Sequence, residues 1–381
     1  MKGYFFSQIP LGDIGPRNKV KNQINAFEKN GISLKLVESP FQQTGIIRGN
    51  FYLRQIVSRL PYTYVYSKHV YKEEYKNADI YYVRFLAGDK QFIRFLKGLR
   101  DNNPKAIIIM ELADYPTTWY MSVSLFYKFI YFPIYLKDIM AGKQYKKYID
   151  RIVVPLPIKE AYGIPVISFQ NGIDIDSITK RIPQERQKIS IIGVAGMCNF
   201  HGYDRLIEGL NEYYNSGGKR KIEIHFVGGK DEPGNELTTY KELVEKYKLK
   251  DSIFFYGKKM GKELDDIYNK CNLAVASLGL YRIGYNMVGS LKTREYLAKG
   301  LPMITGCKVD ILDKAEFEYF LEFSNDSSHI DINKIIEFYD EVYRQNDFEK
   351  INQSIREYAL KKCDMEVTMK SVIDYILEKE N

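Results

Sequence analysis

The sequence predicts an α/β protein of two Rossmann-like domains facing a central cleft. Its length, the alternation of apolar and amphipathic runs, and a restart of that alternation near the middle support this reading. At 381 residues the chain is too long for one ordinary core and suits two domains of similar size. In the first half the short apolar runs "GYFFSQI", "ISLKLVES", "DIYYVRF" and "AIIIMEL" fit strands, and charged amphipathic segments such as Arg17 to Asn30 and Lys90 to Asp101 fit helices between them. Strands separated by helices build a parallel sheet. After "GIPVISFQNGIDID" the pattern begins again with "ISIIGVAG", "KIEIHFVGG", "SIFFYG", "LAVASLG" and "LPMITG", with helices starting near Tyr203, Glu236, Lys262 and Ser290. The join near Asn171 to Asp176 gives domains 1–172 and 173–364. Helical segments close the chain, and the last, 365–381, is expected to pack back on the first domain.

Composition narrows the function classes. Hydrophobic residues at 45% and charged ones at 27% are ordinary, whereas 32 tyrosines and 21 phenylalanines are many. The four cysteines, Cys198, Cys271, Cys307 and Cys363, form no CxxC pair, and no histidine stands at a metal-ligand spacing from them. Neither a disulfide scaffold nor a zinc site is expected, and a reducing cytoplasm is the default. "MKGYFFSQIPLG" reads as a first strand and not a signal peptide, and no run reaches the length of a membrane span. Of the scattered histidines, His225 alternates within a strand, while His201 stands in a glycine loop. "WYMSVSLFYKFIYFPIYLKDIMAGKQYKKYIDR" holds six basic and two acidic residues, and "GNFYLRQIVSRLPYTYVYSKHVYK" has the same character. Such stretches suit a membrane interface, or they fill a core around buried helices. A net charge of +8 would also suit single-stranded nucleic acid, but no motif supports that partner.

In parallel sheets of this kind ligands bind beyond the carboxyl ends of the strands, where helix N-termini present amides to anions. The GxGxxG fingerprint and the GxxxxGK[ST] loop are both absent. Redox-cofactor and ATPase chemistry thereby lose their best support. Glycine turns remain at the expected places: "GDIGPR", "GMCNFHG", "VGGK" and "GSLKTRE". In the last of these, Gly289 permits close approach of the backbone, Ser290 suits an N-cap, and the following amides, from Leu291 on, are unsatisfied donors. Lys292 and Glu295 share a helix face three residues apart. A phosphate could take the amides and Lys292, and Glu295 could accept hydrogen bonds from a sugar hydroxyl pair. The alternative is a capped surface helix carrying an i,i+3 ion pair.

Six segments in order resemble the retaining nucleotide-sugar glycosyltransferases of the GT-B fold, family 4, over nearly the whole chain. They are "GPRNKVKNQINAFEKNGISLKLVES", "FQNGIDID", "IIGVAGMCNFHGYDRLIEGLNEYY", "IHFVGG", "IFFYGKKMGKELDDIYNKCNLAVASLG" and "LKTREYLAKGLPMITG". "HGYDRLIEGL" and "SLKTREYLAKGLP" look similar to a subset of bacterial surface-polysaccharide enzymes. The resemblance implies a hexosyltransferase-type enzyme that moves a sugar, with retention, from a nucleotide diphosphate to a glycan acceptor, lipid-linked and met at the inner face of the membrane. It puts Glu295 at the second glutamate of the family's E-x7-E motif, which holds the ribose, whereas Met287 stands where the first glutamate would fall. The phosphate loop departs as well, offering Met197 and His201 where many members carry arginine and lysine. Lys292 and Arg282 are then the candidates for the diphosphate, with Arg205 as a further one. The donor set implied is Gly196, His201, Arg205, Arg282, Gly289, Ser290, Leu291, Lys292 and Glu295.

On the acceptor side stand Gly15, Arg17 and Asp114. Lys292, Glu295 and Glu111 are the candidates for the chemistry; Glu111 or Asp114 orients acceptor or sugar, or else serves only as a strand-end carboxylate. The same cleft would serve a sugar-nucleotide epimerase or a phosphorylase. A non-catalytic basic-aromatic protein on membrane or nucleic acid is the second class, and it predicts no nucleotide binding. "DID" at Asp174 to Asp176 matches the metal-binding DxD of another glycosyltransferase class, but it follows "NG" at the domain join. No metal or other cofactor is expected; the membrane surface is the expected partner and nucleic acid is not.

Overall fold

The computed structural model describes residues 1–7, 14–38, 69–85, 88–112, 125–155, 157–182, 188–229, 236–344 and 347–379. The chain divides into two compact units, Met1–Gly172 with Thr368–Asn381, and Ile173–Val367.

The first unit contains β1 (Lys2–Ser7), α1 (Ile14–Lys29), β2 (Ser33–Glu38), β3 (Ile80–Phe85), α2 (Lys90–Asn102), β4 (Ile107–Leu112), α3 (Leu125–Tyr145), β5 (Arg151–Val154), β6 (Glu160–Ala161) and β7 (Ile164–Ser168). The strands form one sheet in the order β2-β1-β3-β4-β5-β7-β6, parallel except for the β6–β7 pair. Helices cover such a sheet on both faces, so its strands are continuous apolar runs such as "IIIMEL". Helix α2 starts where Asp89 accepts hydrogen bonds from the Gln91 and Phe92 amides at 2.9 Å each. Part of the aromatic excess is in this core, and a larger part, among the described residues, is in the core of the second unit. The Phe6 ring packs edge-on against Tyr75 and Phe95 at 5.1 and 5.0 Å, and Tyr81, Tyr82 and Tyr145 are fully buried.

The second unit contains β8 (Ile189–Val194), α4 (Tyr203–Asn215), β9 (Ile222–Val227), α5 (Leu237–Lys246), β10 (Ile253–Phe255), α6 (Lys262–Tyr268), β11 (Leu273–Val275), β12 (Met287–Val288), α7 (Leu291–Ala298), β13 (Met303–Thr305), β14 (Lys308–Val309), β15 (Phe320–Glu322), α8 (Ile332–Val342) and α9 (Phe348–Cys363). Its main sheet runs β10-β9-β8-β11-β13-β15 with every pair parallel, and β12 pairs with β14 separately. Ile191, Leu206, Phe226, Leu273 and Leu297 are among the residues of its core. The last helix, α10 (Met365–Glu378), begins in this unit, where the Met365 amide donates to Ile173 O at 2.8 Å. From Thr368 it belongs to the first unit, where Gln23 donates to Met369 Sδ and the Arg151 guanidinium lies over the Tyr375 ring.

Candidate functional site

Three loops of the second unit meet beyond the carboxyl ends of β8, β11 and β13, the neighbouring strands at the middle of its sheet. The Leu278 amide donates to His201 O at 2.8 Å, and the Gly306 amide donates to Ser277 O at 3.0 Å. The loops touch backbone to backbone: a Cβ on Gly202 would stand 2.5 Å from Gly279 N, and one on Gly306 would stand 2.7 Å from Leu278 Cα. Gly202 also has φ +64°, which favours glycine. Met197 holds a left-handed φ of 57° although it is not glycine, and its side chain is fully buried.

Helix α7 begins in this cluster. Its N-cap, Ser290, has the extended backbone expected of a cap, but its side chain makes no capping hydrogen bond, so the first-turn amides that follow are left uncapped by it. Gly289 lies against Asp310, which accepts from the buried Arg294 at 2.6 Å and anchors the helix start.

Lys292, in the first turn, is half-buried and donates from Nζ to Ser277 Oγ at 3.0 Å. No carboxylate pairs with it among the described residues. Burial therefore lowers its pKa to about 7, which the neighbouring Cys307 and Cys198 thiols only partly offset. Glu295, one turn on, accepts from Tyr268 OH at 3.1 Å, and burial raises its pKa against that hydrogen bond. Lys292 and Glu295 thus have separate partners, and the described contacts include no ion pair between them. His201 Nδ1 lies 2.8 Å from the Cys198 amide and 3.1 Å from the Cys198 carbonyl oxygen. Burial and the charge of Lys292 hold its pKa down at about 3, so the ring is neutral in the loop. Gly196 is exposed, and a Cβ there would meet Cys198 Sγ at 3.9 Å, an ordinary van der Waals contact.

The two arginines of the predicted donor set have other work. Arg282 makes a two-pronged pair with Asp204, and also donates to Asn199 Oδ1 at 2.8 Å and Tyr281 OH at 3.0 Å. This pins the β11 loop to the first turn of α4, with its charge already balanced. Arg205 is buried and donates to the carbonyls of Leu278, Ser324 and Ser328, so it braces the loop cluster from behind. Met287 is exposed in β12. Sequence reasoning missed Ser277 and Tyr268, which hold Lys292 and Glu295. Ser277 had a usable signal, being the small polar residue just past β11.

In the first unit Glu111 is fully buried at the end of β4. The β3–β4 register sets Arg84 beside it at 3.2 Å; Lys19 approaches at 3.1 Å, and Gln23 and Tyr82 donate at 2.7 and 2.8 Å. Burial alone would raise its pKa, but Lys19 and Arg84 outweigh that and hold it at about 2. It is an ionised hub that positions two cations, with no proton to exchange at neutral pH. Gly15 lies in the first turn of α1, and Arg17 donates to Glu38 at 3.1 Å. Asp114, most of the "GDIGPR" turn's approach and the second basic-aromatic stretch up to Lys68 lie outside the described residues. Asp174 accepts from the Ser177 amide at 3.3 Å, and among the described residues no cluster of three His, Cys, Asp or Glu side chains is placed to hold a metal.

No protein-family model matches the sequence, and no curated protein does. Solved structures do match. A glycosyltransferase from Rickettsia africae superposes with a TM-score of 0.64 at 13% identity, covering 100% of this chain and 99% of that one. A sucrose-phosphate synthase from Thermosynechococcus elongatus gives 0.64 at 13%, with 99% of both chains covered. Anabaena HepE, in complex with UDP and glucose, gives 0.58 at 12%, covering 99% and 100%. Across these full-length matches the likeness is one of fold, and the chain has the GT-B fold of two Rossmann-like domains.

Proposed function

We propose that this chain is a metal-independent glycosyltransferase that moves a hexosyl group, with retention, from a nucleotide-diphosphate sugar to a lipid-linked glycan acceptor in bacterial surface-polysaccharide synthesis. The observation that carries the reading is Lys292: an inward-turned ammonium without a carboxylate partner among the described residues, beside the uncapped start of α7 and one turn from Glu295. Fixed positive charge of this kind stabilises an anion that forms on the leaving group. That a structure of the same fold was solved with UDP and glucose supports the ligand class. In the proposed step the bond between the anomeric carbon and the β-phosphate oxygen breaks, and the acceptor oxygen bonds to that carbon on the same face. The acceptor proton passes to a phosphate oxygen of the departing nucleoside diphosphate. Lys292 and the α7 amides hold the diphosphate beside the neutral ring of His201, and Glu295 holds ribose hydroxyls. Glu111 acts through Lys19 and Arg84.

Two outcomes follow. Lys292 in the free protein titrates near 7, and only its protonated form attracts a diphosphate. Nucleoside-diphosphate affinity should therefore fall as pH rises, by up to about tenfold per pH unit above about 7. Calorimetric titrations across that range, with Lys292→Gln as the flat control, check this; a wild-type affinity independent of pH would contradict it. Transfer should also persist in EDTA, because a side-chain cation and a helix N-terminus meet the diphosphate. Loss of nucleoside-diphosphate release in chelator, with rescue by manganese, would remove metal independence from the proposal.

A further inference from the structure

Helix α3 carries an exposed apolar stripe. Phe129 is 85% exposed, and Phe132, Leu136 and Met140 are exposed with it. Their spacings of three, four and four put them on one face. The helix has one acidic residue, Asp138, which is buried and accepts from the Gly88 amide at 2.9 Å. Lys143, Lys146 and Lys147 are exposed around its C-terminal end. Among the described residues no helix is long and apolar enough to cross a membrane.

Met140 belongs also to the lining of a cavity of about 260 Å³ between α2 and α3. Ile93 and Ala141 supply more of its apolar wall, and Lys90, Arg94 and Lys137 supply cations. Among the described residues Asp89 is the only carboxylate in that lining, and its Oδ1 is taken by two amides at the start of α2. The cavity is smaller than the roughly 300–1,000 Å³ that takes a drug-sized ligand. It suits a phosphate-bearing headgroup, with the attached chains leaving along the stripe.

We propose that α3 lies in the surface of an anionic phospholipid membrane, with the stripe at the acyl boundary and a lipid phosphate in the α2–α3 cavity. Continuity of stripe and cavity, and the excess of cations over carboxylates around both, single out this occupant over a neutral protein face. The proposal builds on the lipid-linked acceptor of the preceding section by giving the first unit its membrane contact. Its test needs no donor and no transfer.

The full chain should float with vesicles of phosphatidylcholine mixed with phosphatidylglycerol, and be released as salt rises. It should not float with phosphatidylcholine alone. Arg94→Glu, at an exposed position, should weaken partitioning about fivefold or more, the share of one surface charge near an anionic leaflet. Phe129→Ser with Leu136→Ser should weaken it about tenfold or more, through lost apolar burial. Both variants should keep the wild-type melting temperature and the wild-type thermal shift with nucleoside diphosphate, so membrane contact and nucleotide binding are read separately. Equal flotation on neutral vesicles, unchanged flotation of both variants, or a concentration-dependent dimer without vesicle binding would overturn the proposal. Loss of nucleotide binding in wild type with vesicle binding intact would instead overturn the transferase reading alone.

Discussion

Replacing Lys292 with alanine is expected to lower turnover by about two to three orders of magnitude, the scale seen when one preorganised donor to a developing anion is removed. The charge on a departing diphosphate grows through the step, so an ammonium held 3.0 Å from Ser277 Oγ, in the first turn of the helix, would stabilise the transition state more than the bound donor. The same variant should fold at least as well as wild type. A lysine whose pKa has fallen to about 7 is one that the fold holds charged at a cost, and alanine removes that cost. Nucleoside-diphosphate release from a panel of sugar nucleotides, measured with a melting curve, separates the two effects. Wild-type turnover in a folded Lys292→Ala protein would reject the assignment, and loss of activity with loss of melting would assign Lys292 to the fold.

Replacing Glu111 with glutamine is expected to destabilise the first unit by about 3 to 5 kcal/mol, because it leaves the buried Lys19 and Arg84 without their shared anion. Glutamine keeps the shape, so the loss reports charge and not volume. The pH dependence gives a second signature. Glu111 titrates near 2 in the fold and near 4.5 as an ordinary carboxylate, so the unfolded chain binds its proton first as acid is added. Its contribution, about 3 kcal/mol, is complete above pH 4.5 and fades as pH falls from there toward 2. Urea unfolding at a series of acidic pH values should show that slope in wild type and a shallower one in Glu111→Gln. Equal stability of the two proteins at neutral pH would mean that Lys19 and Arg84 find other partners.

The strands were legible where both faces of a run are buried. "AIIIMEL" and "ISIIGVAG" allow only a sheet centre, and they became β4 and β8. "RIVVPLP" and "GIPVIS" were not read as strands; they are short, lie between charges and prolines, and pair as β5 and β7 only because a sheet edge is there to receive them. In the site, local spacing placed Lys292 and Glu295 at the start of one helix but not their partners. Ser277 and Tyr268 come from other strands and helices, 15 and 27 residues away in sequence. The arginines show the same boundary. Charge type pointed to Arg282 and Arg205, while the groups that occupy them, Asp204 and the carbonyls around Leu278, meet them only after folding. The aromatic excess was likewise visible as a total, and its division into a buried tyrosine core and an exposed phenylalanine stripe was not.

The backbone seam at Gly202, Gly279 and Gly306 bears on how this loop cluster can be redesigned. Side chains such as Lys292 or His201 can be exchanged at the cost of whatever they do. The seam has no such latitude: a methyl group at Gly202 or Gly306 would have to share space with main-chain atoms, which have no rotamer to turn away. Specificity engineering here therefore has three fixed points that carry no functional group, and a library that spares them while varying their neighbours should keep far more folded members than one that varies all positions alike.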